Sequence, residues 1–353
     1  MTISEVSTED RRNAFYELIS KDNLAPLWQR LHSLVPKSPV TPVVPVHWDY
    51  DGVVRPHIFT AGDIVTAEEA ERRVLILENP GLPGSASITQ SLYAGLQLVL
   101  PGEVARAHRH SQSALRFVIE GSGAYTAVDG ERVAMSPGDF VLTPSWRWHD
   151  HGNEGGEPMV WLDGLDIPII SFFDAGFAEP GKAISQAELR PPGDSAARYS
   201  NNLLPVDWKP GDRNSPILRY PYERSDETLN SMSRGGDPDA CHGYKVRFIN
   251  PATGGTPMPT IAAFIQRLPE SFETAAYRST DSTVFAVVEG HGQTKIGSHC
   301  IEWKPRDVFV VPSWHPVVHR CEKEATLFSF SDRAVQETLG LWREARYMNG
   351  EVA

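Results

Sequence analysis

The chain has 353 residues, of which 41% are hydrophobic, and a formal net charge of −12. This length suits two domains with full cores, and the acidic balance argues against nucleic acid and anionic membranes as partners. The charged N-terminus has no apolar signal-peptide core, and no run of about 18 apolar residues occurs. With only three widely spaced cysteines, we expect a cytoplasmic protein without a disulfide framework.

The first 90 residues precede any regular train of strands. Ser7 and Asp10 have the spacing of a capping box, and apolar residues then recur on one helical face, which predicts helix within residues 7–35. Pro26 starts or kinks a second helix there. Since residues 36–90 are mixed and rich in Pro and Gly, we predict that 1–90 form a helical and extended segment packed on the rest of the protein.

From Leu92 onward the sequence is a series of short apolar or alternating runs, separated by Gly, Pro and Asp-Gly turns. This pattern is typical of antiparallel strands in a sandwich or barrel. It predicts one β-module over residues 91–177, followed over 178–240 by a Pro-, Ser- and Arg-rich connection with some local helix. A second β-module over 241–335 precedes a predicted C-terminal helix over 336–353.

The two predicted modules repeat one another. The stretch "VVEGHGQTKIGSHCIEWKPRDVFVVPSW" of the second module echoes "VIEGSGAYTAVDGERVAMSPGDFVLTPSW" of the first. An internal repeat of this kind indicates two copies of one structural unit. A residue that matters only in one copy should therefore be absent from the other.

Four of the 12 histidines lie at the two ends of one strand-rich stretch of the first module: His108, His110, His149 and His151. Because alternate side chains of a strand share a face, His108 and His110 point the same way. The intervening strands and turns could bring His149 beside them. Three neutral imidazoles can hold a divalent metal and leave the open positions that a catalytic site needs. By themselves, these ligands would suit Mn, Co, Ni or Zn as well as Fe.

The residues around these histidines resemble the two cupin motifs, G-x5-HxH-x3-4-E-x6-G over 102–121 and G-x5-PxG-x2-H-x3-N over 138–153. There are two departures, because Ala114 stands at the acidic ligand position and Trp146 at a glycine position. The longer stretches "QSALRFVIEG" and "SWRWHDHGN" are similar to the family of gentisate 1,2-dioxygenase, salicylate 1,2-dioxygenase and 1-hydroxy-2-naphthoate dioxygenase. The resemblance is strongest in the N-terminal half and continues through the second module.

This resemblance implies an all-β-dominated bicupin, with two antiparallel jelly-roll barrel modules and helices at both termini. It implies a homotetramer with one Fe(II) per subunit in the N-terminal cupin, bound by His108, His110 and His149. The loss of the acidic ligand favours chelation of an anionic bidentate substrate. The implied partners are a small aromatic carboxylate and O2, and the implied reaction opens gentisate (2,5-dihydroxybenzoate) between carbons 1 and 2 to give maleylpyruvate.

The second module lacks the whole ligand set while it keeps the strand pattern. The alignment replaces His108 by Tyr277, His110 by Ser279 and His149 by Val317. We therefore predict that the second module is a structural copy without a metal.

Three further residues are predicted to be catalytic. Arg116 follows His110 at even spacing, so it shares the ligands' strand face, and it matches the family arginine that contacts the substrate carboxylate. We expect His151 either to act directly as a proton donor or acid–base group, or only to support its neighbours by hydrogen bonding. Asp163 is predicted to orient that histidine or a metal ligand, with Asp166 as the alternative.

Four further residues are predicted to bind the substrate. The family uses an arginine from the stretch before "VLILENPGL", and we assign this role to Arg72 rather than Arg73. Tyr93 matches a family position that is Tyr in gentisate enzymes, where a hydroxyl can bind the 5-hydroxyl of the ring. Trp146 and Trp148 could wall the pocket, although core packing is the favoured interpretation of these indoles.

Several alternatives remain open at this point. Arg106 stands where we expect a small residue or Pro, which is compatible with a different substrate: salicylate, 5-nitro- or 5-halosalicylate, or 1-hydroxy-2-naphthoate. A non-catalytic or regulatory cupin that only binds ligands would not need the intact histidine set. A cupin isomerase or epimerase would not consume oxygen. An extradiol enzyme would need a carboxylate ligand, and the motif position offers none.

Overall fold

A computed structural model describes residues 7–209, 213–348 and 351–352 of the chain. Within this part the chain divides after Val40 into two compact units. The division falls inside the predicted 1–90 segment, so that residues 41–90 belong to the same unit as the strands. No helix in these ranges is both long and apolar enough to cross a membrane.

The first unit consists of two helices, α1 (Thr8–Lys21) and α2 (Leu27–Leu34). The predicted capping box is present, since the Ser7 hydroxyl accepts from the Asp10 amide and the Asp10 carboxylate accepts from the Ser7 amide. The indole of Trp28 donates to the Tyr16 hydroxyl at 2.9 Å and joins the two helices. Neither helix has a fully buried residue within this unit.

Residues 41–90 contribute two short strands and two helices to the larger unit. These are β1 (Val46–Trp48), α3 (Arg55–Ile64), α4 (Ala67–Ala70) and β2 (Val74–Ile76), with a π-helical turn (Tyr50–Val54) leading into α3. Tyr50 and Ile58 in this segment are fully buried in the main core. The segment is therefore built into the modules.

The N-terminal module consists of β3 (Tyr93–Val99), β4 (Val104–His110), β5 (Ala114–Glu120), β6 (Ala124–Val128), β7 (Glu131–Ala134), β8 (Phe140–Thr143), β9 (His149–Asn153) and β10 (Met159–Leu165). The connection holds α5 (Ile167–Phe172), β11 (Ala178–Pro180), α6 (Asp194–Tyr199), β12 (Arg219–Tyr220) and α7 (Tyr222–Gly235). Its residues 210–212 lie outside the described ranges. The local helix predicted for the connection is thus present as α6 and α7.

The C-terminal module consists of β13 (Tyr244–Arg247), β14 (Ala262–Leu268), β15 (Tyr277–Ser279), β16 (Thr283–Glu289), β17 (Gly292–Ile296), β18 (His299–Trp303), β19 (Val308–Val311), β20 (Val317–Cys321) and β21 (Ala325–Ser331). The chain continues with α8 (Arg333–Thr338), β22 (Glu344–Met348) and β23 (Glu351–Val352).

Each module is a sandwich of two antiparallel sheets, as the predicted jelly roll requires. The N-terminal module has the orders β12-β8-β5-β10-β3-β2 and β11-β4-β9-β6-β7, and the C-terminal module has β1-β19-β16-β21-β14-β13 and β18-β17-β20-β15-β22-β23. The strands at equivalent places confirm the internal repeat. The paired sheets stay open at their edges in the described residues and do not close into a hydrogen-bonded barrel.

Aromatic side chains join the two modules through their facing sheets. Phe117 of β5 stacks on Phe328 of β21, with ring centroids 4.1 Å apart and planes within 8°. Phe140 and Phe248 pack beside this pair. Because buried aromatic pairs add about 0.5–1.5 kcal/mol to the free energy of burial, this shared core holds the modules together.

The predicted C-terminal helix over 336–353 is wrong in its extent. Helix α8 ends at Thr338, and Gly340 at a φ of +70° turns the chain. Residues Glu344–Met348 are extended because β22 pairs with β15 in an antiparallel register, with Tyr277 opposite Arg346, while residues 349–350 and 353 lie outside the described ranges. Tertiary pairing with a strand therefore overrides the helical propensity of this segment.

Candidate metal centre

Three histidines converge at one end of the N-terminal sandwich. His108 and His110 lie on the same face of β4, and the strand register places His149 of β9 directly opposite His108. A ring nitrogen from each histidine lies within 4.8 Å of one from the others. The structure therefore brings together the three residues that the sequence predicts as metal ligands.

The hydrogen bonds of these rings to backbone carbonyls fix which nitrogen of each carries the lone pair. Every Nδ1 lies 2.8–2.9 Å from a backbone carbonyl two residues away in sequence: Arg106 for His108, Gln112 for His110 and Arg147 for His149. A carbonyl only accepts, so each Nδ1 carries the hydrogen and each Nε2 carries a lone pair, which in His108 faces Nη2 of Arg72 at 2.5 Å. The Nε2 of His149 is buried and has no hydrogen-bond partner among the described residues.

The protonation state of the cluster also suits a metal. Burial lowers the pKa of His108 to about 3 and that of His110 to about 4, and it holds the pKa of His149 well below its usual value. The rings are therefore neutral at pH 7, as metal ligands must be. Among the described residues the cluster holds no carboxylate, and Ala114 is buried at the predicted acidic position. This donor set fits Fe(II) with open positions.

Arg116 is a buried cation on the strand beside the cluster, where it is 4% exposed. One terminal nitrogen donates to the Thr143 hydroxyl and the other to Nε2 of His151 at 2.8 Å. Its Nε lies 3.4 Å from the Asp163 carboxylate. Burial lowers the pKa of Arg116 to about 10 and Asp163 opposes this shift, so the guanidinium stays charged at neutral pH.

His151 is held between Arg116 and a threonine. A guanidinium can only donate, so Nε2 of His151 accepts from Arg116, and Nδ1 donates to the Thr126 hydroxyl at 3.0 Å. Burial, followed by the Arg116 charge, keeps the pKa of this histidine well below its usual value. Both ring nitrogens are thus engaged by protein groups.

The sequence reasoning missed Thr126 and Thr143, but the repeat carries a signal for the first. In the second module His319 and Thr294 form the same pair at 2.8 Å, although no ligand histidine is present there. Because this pair is also present in the module that lacks the ligand histidines, it stabilises the packing of the strands as well as the site. Comparing the two copies position by position would have revealed it.

Asp163 contacts the arginine and not, as predicted, a histidine. The antiparallel register of β5 and β10 places Asp163 opposite Arg116, while the ligand rings use backbone carbonyls and His151 uses Thr126. Its carboxylate also accepts from the Trp161 indole at 3.0 Å. Burial raises the pKa of Asp163 to about 6, against the lowering influence of Arg116. The alternative residue, Asp166, lies elsewhere and binds the Ser113 amide and the Thr260 hydroxyl.

Arg72 also reaches the site. Its Nη2 lies 2.5 Å from Nε2 of His108 and donates to it, since Nδ1 already donates to a carbonyl, whereas Arg73 turns away to pair with Glu103 at 2.9 Å. The charges of Asp163 and Arg72 both act on the partly buried Tyr93 hydroxyl, whose pKa is raised chiefly by burial. The structure therefore places Arg72 in contact with a ligand histidine, and Tyr93 near Arg72 and Asp163.

Trp146 and Trp148 lie against the opposite face of β4. Both indoles stack on the guanidinium of Arg109, at 4.5 and 4.7 Å from its central carbon. Alternation points Arg109 away from the metal ligands, so the structure does not bring these two rings to the cluster. Trp146 has a φ of +61°, which explains why the cupin motif usually has glycine at this turn.

The fold and the site together define a bicupin metalloprotein with one intact ligand set. The sequence matches the cupin domain family over residues 95–165. It is 55% identical over 335 residues to gentisate 1,2 dioxygenase 1 of Aquipseudomonas alcaligenes, covering 95% of this chain and 96% of that protein. It is 36% identical over 340 residues to 5-aminosalicylate 1,2-dioxygenase of Comamonas sp, with coverages of 95% and 90%.

A solved structure shares the whole fold. Salicylate 1,2-dioxygenase from Pseudoaminobacter salicylatoxidans, as its adduct with gentisate, superposes with a TM-score of 0.90 at 36% identity, covering 99% of this chain and 96% of that one. The chain belongs to the gentisate and salicylate 1,2-dioxygenase family of bicupin ring-cleaving enzymes. It is therefore an aromatic ring-cleavage dioxygenase, and its three-histidine centre fits the iron(II) of that family.

Proposed function

We propose that the protein uses Fe(II) and O2 to open gentisate between carbons 1 and 2, giving maleylpyruvate. The observation that carries this proposal is the all-imidazole cluster, with every Nδ1 engaged by a backbone carbonyl and every lone pair on Nε2, beside the charged Arg116. The 55% identity to a protein named gentisate 1,2 dioxygenase supports the choice of ring substituent. The exposed position of Arg106 removes the main sequence argument for a differently substituted substrate.

His108, His110 and His149 would hold the iron, one ion per subunit. Bound iron(II) would supply the one-electron mediation that a singlet aromatic ring and triplet O2 need in order to react. The protein contributes neutral, pre-oriented ligands, because the carbonyls of Arg106, Gln112 and Arg147 fix the ring orientations. The main advantage of such a site is that the ligand rings are already oriented before the metal and the substrate bind.

Arg116 would bind the substrate carboxylate. After its bonds to Thr143 and His151, each terminal nitrogen keeps one N–H, and the resulting fork matches the two oxygens of a carboxylate. Arg72 adds a second positive charge from the His108 side. His151 and Asp163 act through Arg116, because one accepts from the guanidinium and the other balances its charge. We infer that both are positioning residues.

Tyr93 would distinguish gentisate from salicylate. Its hydroxyl lies near Gly95, where an added Cβ would come within 2.9 Å of it. The charges of Arg72 and Asp163 both act on this hydroxyl. A hydroxyl at this place can exchange a hydrogen bond with the 5-hydroxyl of gentisate, which salicylate lacks.

The experiment that tests the function is O2 uptake by protein loaded with Fe(II) under anaerobic conditions. Gentisate, salicylate, 5-nitrosalicylate, 5-chlorosalicylate and 1-hydroxy-2-naphthoate are compared in parallel. We expect one O2 consumed per gentisate and little uptake with unsubstituted salicylate. Faster uptake with another member would change the substrate, and no uptake despite bound iron would refute the reaction.

Replacement of one ligand tests the site itself. We expect His110→Ala to lose both iron and turnover, since two imidazoles leave the ion weakly held. His299→Ala, an exposed histidine of the second module, is the matched control and should keep both. Iron content by plasma emission and O2 uptake measure the two effects. Full activity in His110→Ala would contradict the ligand assignment.

The assembly and setting are proposals as well. We propose a homotetramer, because each compact unit exposes large apolar side chains that a subunit contact would cover: Leu18, Trp28 and Leu34 in the first, and Phe172, Phe173 and Phe177 in the second.

The unpaired Cys241, Cys300 and Cys321 support a reducing, cytoplasmic location. The acidic charge supports a protein without nucleic-acid or membrane partners. We retain 91–177 and 241–335 as the two cupin modules.

A further inference from the structure

The second module keeps a polar cavity at the place that corresponds to the metal centre. The cavity has a volume of about 40 Å³ and its wall includes Tyr277 and Val317, the counterparts of His108 and His149. Polar and charged side chains, among them Lys245, Gln266 and Asp281, line the rest of it together with several apolar ones. Loss of the metal ligands has therefore not been followed by filling the space with apolar side chains.

Gln266 is a buried amide with no partner. The residue is 1% exposed, and neither its Nε2 nor its Oε1 has a hydrogen-bond partner among the described residues. Buried side-chain amides are nearly always satisfied by protein groups or by a bound molecule. This residue therefore offers one donor and one acceptor to whatever occupies the cavity.

Lys245 supplies a positive charge beside this amide. It is directly opposite Gln266 in the antiparallel pairing of β13 and β14. Its ammonium lies 4.9 Å from the centre of the Phe264 ring and makes no ion pair within the described ranges. Burial lowers the pKa of Lys245 to about 8 against the influence of Asp281, so most of the molecules carry this charge at pH 7. Asp281 itself accepts from the Trp342 indole at 2.9 Å.

We propose that the second module binds a small monovalent anion of the carboxylate class, such as formate or hydrogencarbonate, between Lys245 and Gln266. The anion would accept from the ammonium and from Nε2 of Gln266, and a hydroxyl such as that of hydrogencarbonate would donate to Oε1. A volume of 40 Å³ has room for roughly three water molecules. This space admits an anion of three or four heavy atoms.

The test uses formate as the probe and the full chain loaded with iron. Crystals soaked in sodium formate should show a planar three-atom density bonded to Lys245 and Gln266. Calorimetric titration should give a Kd of about 1 mM or tighter for this site. Lys245→Met should weaken that binding about tenfold or more, whereas His110→Ala should leave it intact while removing any formate that binds at the iron centre.

Two outcomes would overturn the proposal. One is a cavity that holds only water at formate concentrations that saturate the calorimetric signal. The other is a Lys245→Met variant, with normal iron content, that binds formate as tightly as the original protein. If Lys245→Met does not fold, Gln266→Leu replaces it, because removal of the amide should produce the same loss without removing a charge.

Discussion

At the scale of single residues, the site depends on a buried guanidinium that is already partly satisfied. Arg116 gives one hydrogen bond each to Thr143 and His151 and lies beside Asp163. A buried charge is costly unless it is paired, and these partners meet that requirement before any substrate arrives. The remaining N–H groups are therefore fixed in direction.

We expect Arg116→Lys to lower kcat/KM for gentisate about 100-fold, which is roughly 2.7 kcal/mol, because an ammonium keeps the charge and loses the fork. Arg109→Lys is the matched control, since Arg109 lies between two ligand histidines on β4 but points to the opposite face of that strand. Its kcat/KM should change less than about threefold. Steady-state O2 uptake measures both, and equal losses in the two variants would argue against a carboxylate contact by Arg116.

The prediction for Tyr93 concerns the discrimination between gentisate and salicylate and not the overall rate of turnover. Tyr93→Phe should reduce the ratio of kcat/KM between gentisate and salicylate about tenfold, because one hydrogen bond of about 1.4 kcal/mol is lost only with gentisate. The values for salicylate itself serve as the internal control and should stay within about twofold. An unchanged ratio would place the 5-hydroxyl away from Tyr93.

At the scale of elements, both modules use the same link between neighbouring strands. Thr126 of β6 bonds His151 of β9, and Thr294 of β17 bonds His319 of β20. The links lie at equivalent positions of the repeat, but only the first leads on to Arg116. Substituting the threonine in each module therefore distinguishes an effect on stability from an effect on catalysis.

Thr126→Val and Thr294→Val should each lower the free energy of unfolding by about 1–3 kcal/mol, because each leaves a buried histidine nitrogen without its partner. Only Thr126→Val should also lower kcat/KM, since His151 then holds Arg116 less firmly. Urea unfolding and O2 uptake are the two measurements. A comparable loss of turnover in Thr294→Val would show that the effect is one of general stability.

The elements also show what the sequence can predict. Period-two alternation and turn residues were enough to predict both β-modules, and the positions of His108, His110 and His149 were enough to predict the ligand set. Alternation could not say that Asp163 faces Arg116, because that depends on the register between β5 and β10. The strand β22 was missed because a pairing with β15, distant in sequence, decides its conformation.

At the scale of the whole molecule, two buried carboxylates link the modules reciprocally. Asp166 of the first binds the Thr260 hydroxyl before β14, and Asp332 of the second binds the Ser91 hydroxyl before β3 at 2.8 Å. Each also accepts a serine amide of its own module. Burial raises the pKa of both carboxyls to about 6.

Asp332→Asn should reveal the cost of that buried charge. A folded pKa of about 6, above the ordinary aspartate pKa of 3.8, means that the carboxylate's contribution to stability falls as pH rises between these values. Relative to the original protein, the variant should gain up to about 3 kcal/mol in the free energy of unfolding between pH 4 and pH 7. The exposed Asp63→Asn is the control, and a pH-independent difference would contradict the assignment.

The strands that segments outside the two modules add to their sheets bear on how a duplicated chain can change over generations. Strand β1 comes from the N-terminal segment yet pairs with β19, and β12 from the connection pairs with β8. A module that has lost its metal ligands could be deleted without harm if the two modules folded independently. Here its deletion would strip β1 of its partner and uncover the Phe117 surface. The module that lacks the metal ligands is therefore retained because the module that has them needs it in order to fold.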